Sequence, residues 1–354
     1  MMTGIYKKLC KSLLPVVLSV LLCCTGCEKI RRSDDGTASF ILSIGIPTAS
    51  VTLTKAPGNS NAEPYEGIRT LRVLIISEED VLSDRRILYN EKVIIDGSES
   101  PEESVTSWSL DIQNIPTGPA AIYVIANEES IGITYDNKTL TSPEYLEDNK
   151  LLLLDEGWAH FPQTYEETAL HGLPMSGRKE GVDISNNMEP VSISLYRAVV
   201  KLHLTVKNET EDPINLHWVK FGEFISDRVY LFRQTQLDIP GTTLYKELRY
   251  PEDKEDVFEN VVLAKGAETK WNSVYIYPNY AYKDPVGSNP YTLSLGTDKR
   301  TYDPSLLSDN INSMVRNSQY NITARITASA TIKIDYEKVD WEWDSETIDV
   351  PSFD

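Results

Sequence analysis

Apolar residues alternate with polar ones along much of this chain, and this period of two constrains the fold more than any other feature. Phe40, Leu42, Ile44 and Ile46 occupy every second position of one segment. The alternation returns between Tyr320 and Tyr336. Successive side chains of a β-strand point to opposite faces, so this pattern predicts strands with one buried face. Many short strands separated by turn-forming residues predict an all-β protein made of β-sandwiches.

The clearest strand predictions fall early in the chain. They are Ala38 to Ile46, Ile68 to Ile76, Arg86 to Asp96, Thr106 to Ile112 and Ala120 to Asn127. The last of these is apolar on both faces, so we expect it at the centre of a sheet. Further along, Pro304 to Val315 predicts a short helix, and the alternation from Tyr320 predicts either a hairpin or one long strand.

The first 27 residues have the order of parts found in a bacterial secretory signal. Lysines precede an apolar run from Leu13 to Leu22, and small residues then precede Cys27. Thr25-Gly26-Cys27 resembles a lipobox, in which the cysteine is lipidated, although Cys24 stands where an aliphatic residue is usual. The alternatives are an ordinary signal peptide and a membrane anchor, but spanning a bilayer takes roughly 20 apolar residues. We predict a lipoprotein signal over residues 1–27, with lipid on Cys27.

All four cysteines lie within that signal, at positions 10, 23, 24 and 27. The exported part therefore has no disulfide, no thiol chemistry and no cysteine-based metal site. Its stability must come from its core and its backbone pairing. The polar residues 28–37 follow the signal and are predicted to be a tether.

Length and hydrophobic pattern together predict two domains. At roughly 100 to 200 residues per domain, a chain of 354 residues suits two β-domains behind the signal. From Val191 to Leu195 the apolar side chains occupy odd positions, whereas from Ala198 onward they occupy even positions. Such a change along a strand needs a bulge or a different core. We expect domains over residues 38–196 and 197–354.

Charge and motifs point away from nucleic acid and from catalysis. With 34 Lys plus Arg against 53 Asp plus Glu, the formal net charge is −19, and a surface so acidic repels nucleic acid. The sequence lacks the motifs of zinc proteases, phosphate loops, serine hydrolases and calcium loops. Its histidines are scattered, at His160, His171, His203 and His217. We expect no enzyme activity, no metal and no cofactor. Trp341 and Trp343 could stack on a sugar, but packing in a core or between domains is the commoner role of such a pair.

Seven segments carry a family resemblance. They are Gly67 to Ile75, Ile115 to Gly118, Tyr123 to Asn127, Leu173 to Gly177, Leu195 to Leu202, Tyr275 to Asn279 and Arg316 to Tyr320. In this order, behind a lipobox, they resemble the fimbrial subunit lipoproteins of the Bacteroidales. That group forms type V pili and comprises stalk fimbrillins and membrane anchors.

The resemblance implies two transthyretin-like β-sandwich domains in tandem, and assembly by strand exchange. In that mechanism a protease removes the first strand of a subunit, and the C-terminal strand of a neighbour fills the vacant groove. The exchanged side chains would be Phe40, Leu42, Ile44 and Ile46 of the removed strand and Ile348, Val350 and Phe353 of the incoming one. Cleavage would fall at Lys55 and Ala56. The best-known stalk subunits carry arginine there, so Lys55 counts against an arginine-specific protease.

The leading hypothesis for function is a structural subunit or an anchor of a surface fimbria that supports cell adhesion. Its partners would be other fimbrial subunits, the outer membrane through the lipid on Cys27, and ligands on host or bacterial surfaces. The alternative is a glycan-binding surface lipoprotein of a polysaccharide-uptake system. A secreted hydrolase is a third hypothesis, which no motif supports. The residues leave the choice between anchor and stalk open.

Overall fold

Nearly all regular secondary structure in the described part of the chain is β-strand. The computed structural model describes residues 36–47, 63, 66–78, 87–95, 105–131, 135, 153–155, 171–233, 239–253, 255–271, 273–281 and 288–341. A short 3₁₀ helix occupies Glu128–Ile131. No helix within these ranges has the length and apolar character needed to cross a membrane. The sheets pack as tandem β-sandwiches, so the all-β prediction is confirmed.

The first half of the chain, up to Arg197, contains nine strands within the described ranges. They are β1 (Thr37–Gly45), β2 (Thr70–Ser77), β3 (Ile87–Ile94), β4 (Ser107–Pro116), β5 (Gly118–Ala126), β6 (Leu153–Asp155), β7 (Met175–Ile184), β8 (Val191–Ser194) and β9 (Tyr196–Arg197). One sheet has the order β4-β1-β8, and a second has the order β3-β2-β5-β7-β9. The central position predicted for Ala120 to Asn127 is confirmed, because β5 lies between β2 and β7.

The second half, from Val200 onward, adds two sheets of five strands each among the described residues. Its strands are β10 (Val200–Asn208), β11 (Ile214–Ser226), β12 (Arg228–Tyr230), β13 (Tyr245–Tyr250), β14 (Val262–Leu263), β15 (Glu268–Lys270), β16 (Val274–Ile276), β17 (Thr292–Thr297), β18 (Thr301–Leu306), β19 (Ser318–Ile326) and β20 (Lys333–Asp340). One sheet has the order β15-β10-β19-β20, with β16 also on β10. The other has the order β13-β11-β17-β18, with β14 also on β11. The short β12 pairs with β6 of the first half.

Two clusters of buried apolar side chains fill the two halves. The first extends from Ala38 to Val199 and includes aliphatic and aromatic side chains from later in the chain, among them Leu231, Tyr275 and Trp341. The second begins at Val200. As the chain passes from β8 through β9 to β10, the change of core comes just after the change of apolar parity, because Ala198 and Val199 still belong to the first cluster. These three strands belong to three different sheets, which is why the parity cannot be continuous.

The prediction of a helix from Pro304 to Val315 is wrong. Residues 301–306 form β18, an edge strand that pairs with β17. Proline is tolerated on an edge strand, and the register between β17 and β18 is irregular beside Pro304. The last alternation resolves as a hairpin, because β19 and β20 pair antiparallel from Ser318 opposite Asp340 onward.

Candidate strand-exchange site

The first of the described strands lies in the middle of its sheet. β1 pairs antiparallel with β4, from Thr37 opposite Pro116 to Gly45 opposite Ser107. On its other side it pairs parallel with β8, where Leu42 lies opposite Val191. Backbone bonds continue the pairing beyond the strand, since Ile46 N–H donates to the Thr106 carbonyl over 2.8 Å. A strand flanked on both sides leaves two unpaired edges when it is removed.

The apolar face of β1 and of the residue after it is buried. Phe40, Leu42, Ile44 and Ile46 are at most 5% exposed, and all four belong to the first core. At roughly 1.5 to 3 kcal/mol for each fully buried side chain, these four contribute about 6 to 12 kcal/mol as an upper estimate. The alternate residues face outward, as the period of two predicts. Loss of this segment would leave a groove lined by apolar groups and by free backbone donors and acceptors.

The other residues predicted for exchange and anchoring fall elsewhere. Cys27, Lys55 and Ala56 lie outside the described residues, as do Ile348, Val350 and Phe353. The structure therefore brings together only the β1 part of the predicted site.

A buried polar cluster joins the two halves of the chain. The carboxylate of Glu66, fully buried, lies 2.8 Å from the ammonium of Lys201. It also accepts hydrogen bonds from the Tyr275 hydroxyl over 2.5 Å and from the Trp341 indole N–H over 2.7 Å. A buried carboxylate is stable when it is paired and its oxygens accept hydrogen bonds, and Glu66 meets both conditions. We call Glu66, Lys201, Tyr275, Trp341 and Arg197 the junction cluster.

Arg197 completes this cluster over the ring of Trp341. Its guanidinium lies 4.4 Å from the centre of the indole ring and donates to the Trp341 carbonyl oxygen over 3.1 Å. It also donates to the Asn317 side-chain oxygen, and the Asn317 N–H in turn donates to the Val199 carbonyl. Burial lowers the pKa of Arg197 to about 10, although Glu66 and Tyr275 act in the opposite direction. Arg197 therefore stays charged at neutral pH and holds Trp341 against β9.

A second buried polar residue fixes the loops beside the junction. The Asn127 side-chain amide donates to the carbonyls of Gly67 and Leu173, and its oxygen accepts from the N–H groups of Arg69 and Thr70. Its backbone has a φ of 59°, a conformation that asparagine tolerates better than most residues. One side chain thereby ties together the chain segments that lead into β2 and β7.

Sequence reasoning found part of this arrangement. Trp341 is buried and stacks on Tyr275, with 5.8 Å between ring centres, so the packing role predicted for it is confirmed. Trp343 lies outside the described residues. Glu66 was missed, because a single glutamate ahead of a strand gives no signal of burial. The available signal was indirect, since Arg197, Lys201 and Tyr275 lie in segments that carry the family resemblance.

The described histidines form no metal site. Among the described residues, no group of three or more His, Cys, Asp or Glu side chains is placed to hold a metal ion. His203 is half-buried on β10, and its burial, followed by the charges of Lys201 and Lys270, holds its pKa below the ordinary value. It is therefore neutral at pH 7.

Solved structures share this arrangement of sheets. A candidate cell adhesion protein from Parabacteroides distasonis superposes with a TM-score of 0.56 at 13% identity, over 86% of this chain and 97% of its own. The tip fimbrial protein Mfa3 from Porphyromonas gingivalis, truncated at its C-terminus, gives 0.54 at 13% identity, over 86% of this chain and 100% of its own. A candidate cell adhesion protein from Bacteroides eggerthii gives 0.52 at 14% identity, over 86% and 97%.

No protein-family model and no curated protein matches the chain. At identities of 13 to 14%, the structural likeness establishes the fold and nothing finer. The chain thus has the tandem β-sandwich fold found in these fimbrial and candidate adhesion proteins of the Bacteroidales.

Proposed function

We propose that this protein is a structural subunit or membrane anchor of a cell-surface fimbria and supports cell adhesion. The observation that carries the proposal is the placement of β1. It is the first described strand, it fills the centre of its sheet, and the segment that follows it, residues 48–62, contains Lys55. A strand in this position can be separated from the chain by one cut without interrupting any later strand that the structure describes. The shared fold with a tip fimbrial protein adds support.

Assembly would follow by strand exchange. Cleavage at Lys55 and Ala56 releases β1, and the groove between β4 and β8 then accepts the C-terminal segment of a neighbouring copy. Ile348, Val350 and Phe353 would replace the buried side chains of β1. Backbone pairing supplies affinity in such strand addition, and alternate side chains in pockets supply specificity. An anchor would keep β1 and its lipid, and would end the polymer at the membrane.

We place the protein at the outer membrane, exposed on the cell surface and held by lipid on Cys27. An acidic ectodomain gives no affinity for anionic lipid, so anchoring depends on the acyl chains.

We also assign the domains to residues 38–196 and 197–354. A fragment of residues 198–354 should then unfold cooperatively in urea, as followed by circular dichroism. A fragment without a cooperative transition would contradict this division.

The test of assembly compares cleaved and uncleaved protein by size-exclusion chromatography. A lysine-specific protease is applied to the mature protein, to a Lys55→Gln variant and to a form lacking residues 345–354. We expect larger species only where Lys55 is present and cut and the last ten residues remain. Lys55→Gln controls for cuts at other lysines. If the shortened form polymerises, these segments do not exchange. The same conclusion follows if the full mature protein stays monomeric after complete cleavage at Lys55.

A further inference from the structure

A cleft of about 590 Å³ lies between β7 and β8 in the first half of the protein. Residues 176–179 of β7 and 192–194 of β8 form its walls, and Tyr196, Phe232 and Arg233 complete the lining. The walls meet at Gly177, where a Cβ atom would lie 2.4 Å from the Ser194 carbonyl oxygen. Glycine is therefore needed there, and the cleft opens beside this contact.

Both walls are strands with an unpaired edge. Among the described residues, β8 pairs with β1 alone, and β7 beyond Ser176 pairs with β5 alone. Ser192 and Ser194 are exposed on β8. An unpaired strand edge presents a row of N–H and C=O groups, and the ligand that matches such a row best is another extended backbone. The cleft thus suits a peptide strand better than a compact small molecule.

The cleft is cationic in a strongly acidic protein. Arg178, Lys179 and Arg233 line it, whereas the whole chain has a formal net charge of −19. Arg178 lies 3.5 Å from the exposed carboxylate of Glu180, and within the described part of the chain no carboxylate forms an ion pair with Lys179 or Arg233. The Arg233 guanidinium is held over the ring of Tyr196, 5.4 Å from its centre. These positive charges select a ligand that carries carboxylates.

We propose that this cleft binds the acidic segment 342–354 of a second copy of the protein. That segment has five Asp and Glu residues and no Lys or Arg. Its 13 residues span up to roughly 43 Å when extended. The inference rests on the proposed function, in which a neighbour offers this same segment. It adds a charge-guided docking surface at the edge of β8 that faces away from β1. This surface is distinct from the groove that β1 fills.

The test uses a fluorescent peptide of residues 342–354 and the intact mature protein, in which β1 still fills its groove. Fluorescence anisotropy measures binding at 50 mM salt. We expect substitution of Arg178, Lys179 and Arg233 by Gln to weaken binding at least tenfold. A matched variant replaces Lys265, Lys270 and Lys299, which are exposed on the second half, by Gln. It removes the same charge and should bind as the unmodified protein does. Raising the salt to 300 mM should also weaken binding several-fold.

Altered peptides separate charge from backbone pairing. A peptide with its carboxylates replaced by amides should bind at least tenfold more weakly. Of two peptides that are N-methylated at even or at odd positions, at least one should lose binding, because methylation removes the donors of one strand edge. Equal binding by the cleft variant and the matched variant would overturn the proposal. So would undiminished binding by both N-methylated peptides, or displacement of the labelled peptide by an acidic oligosaccharide at a lower concentration than the unlabelled peptide needs.

The outcome is separable from that of the assembly experiment. If the peptide binds the cleft variant as tightly as the unmodified protein, but the cleaved protein polymerises, this inference fails and the strand-exchange proposal stands. If the cleft substitutions weaken peptide binding, but the cleaved protein remains monomeric, this inference stands and the strand-exchange proposal fails.

Discussion

Replacing the buried carboxylate of the junction cluster gives the sharpest test of what holds the two halves together. Glu66→Gln keeps the size of the side chain and removes its charge. The amide has one acceptor oxygen where the carboxylate has two, whereas Lys201, Tyr275 and Trp341 all donate to it in the native protein. At least one of these donors would then face the amide NH₂ group.

The expected cost follows from the burial of the ion pair. Glu66 and Lys201 are 0% and 2% exposed, and removal of one partner from such a pair costs about 3 to 5 kcal/mol. Typical domains are stable by about 5 to 15 kcal/mol, so the loss is large. We expect a clear fall in the urea midpoint of the mature protein, followed by circular dichroism. The junction cluster joins both halves, so we expect the native protein to unfold in one transition. In Glu66→Gln, the two halves should unfold in two separate transitions.

An exposed ion pair provides the control. Glu211 and Lys265 lie 2.6 Å apart, at 84% and 61% exposure. Glu211→Gln should therefore change stability by less than about 1 kcal/mol. In the double variant Glu66→Gln/Lys201→Met, the loss should be smaller than the sum of the two single losses. If Glu66→Gln costs no more than Glu211→Gln, the junction cluster does not stabilise the protein and the reasoning is wrong.

Three further predictions test other parts of the structure. Asn127→Ala leaves buried backbone groups without their side-chain partner, so the free energy of unfolding should fall by about 3 kcal/mol, and a change below about 1 kcal/mol would contradict the role given to this amide. Gly177→Ala brings a Cβ against the Ser194 carbonyl and should cost at least about 2 kcal/mol, more than Gly181→Ala, where φ is +68° but the space is open; thermal melts of both variants decide the order. Cys27→Ser should abolish labelling by a palmitate analogue and release the protein from the membrane fraction, whereas continued labelling would disprove the lipid assignment.

The sequence predicted β1 well, because the alternation of a single strand is a local property. Phe40 and Leu42 are buried for the reason that their spacing gave, and β5 is central because it is apolar on both faces. The same local reasoning failed at Pro304, where a proline and several helix-compatible residues lie on an edge strand. There the pairing with β17 outweighs local preference, and only the sheet shows that an edge is available.

The junction cluster could not be predicted in the same way, because it joins residues that are far apart in the chain. Glu66 and Trp341 are separated by 275 positions. No pattern within a window of residues encodes such a contact. The unpaired edges beside the cleft escaped prediction for a related reason, since a strand edge is free or covered only with respect to the whole sheet.

The position of Glu66 in the chain makes the junction independent of any processing that releases β1. A cut at Lys55 would leave Thr37–Gly45 on one piece and Glu66 on the other, together with Lys201, Tyr275 and Trp341. After such a cut, β1 and the junction cluster would therefore belong to different covalent fragments. A chain built this way could lose β1 and still keep the contacts of the junction cluster between its two halves.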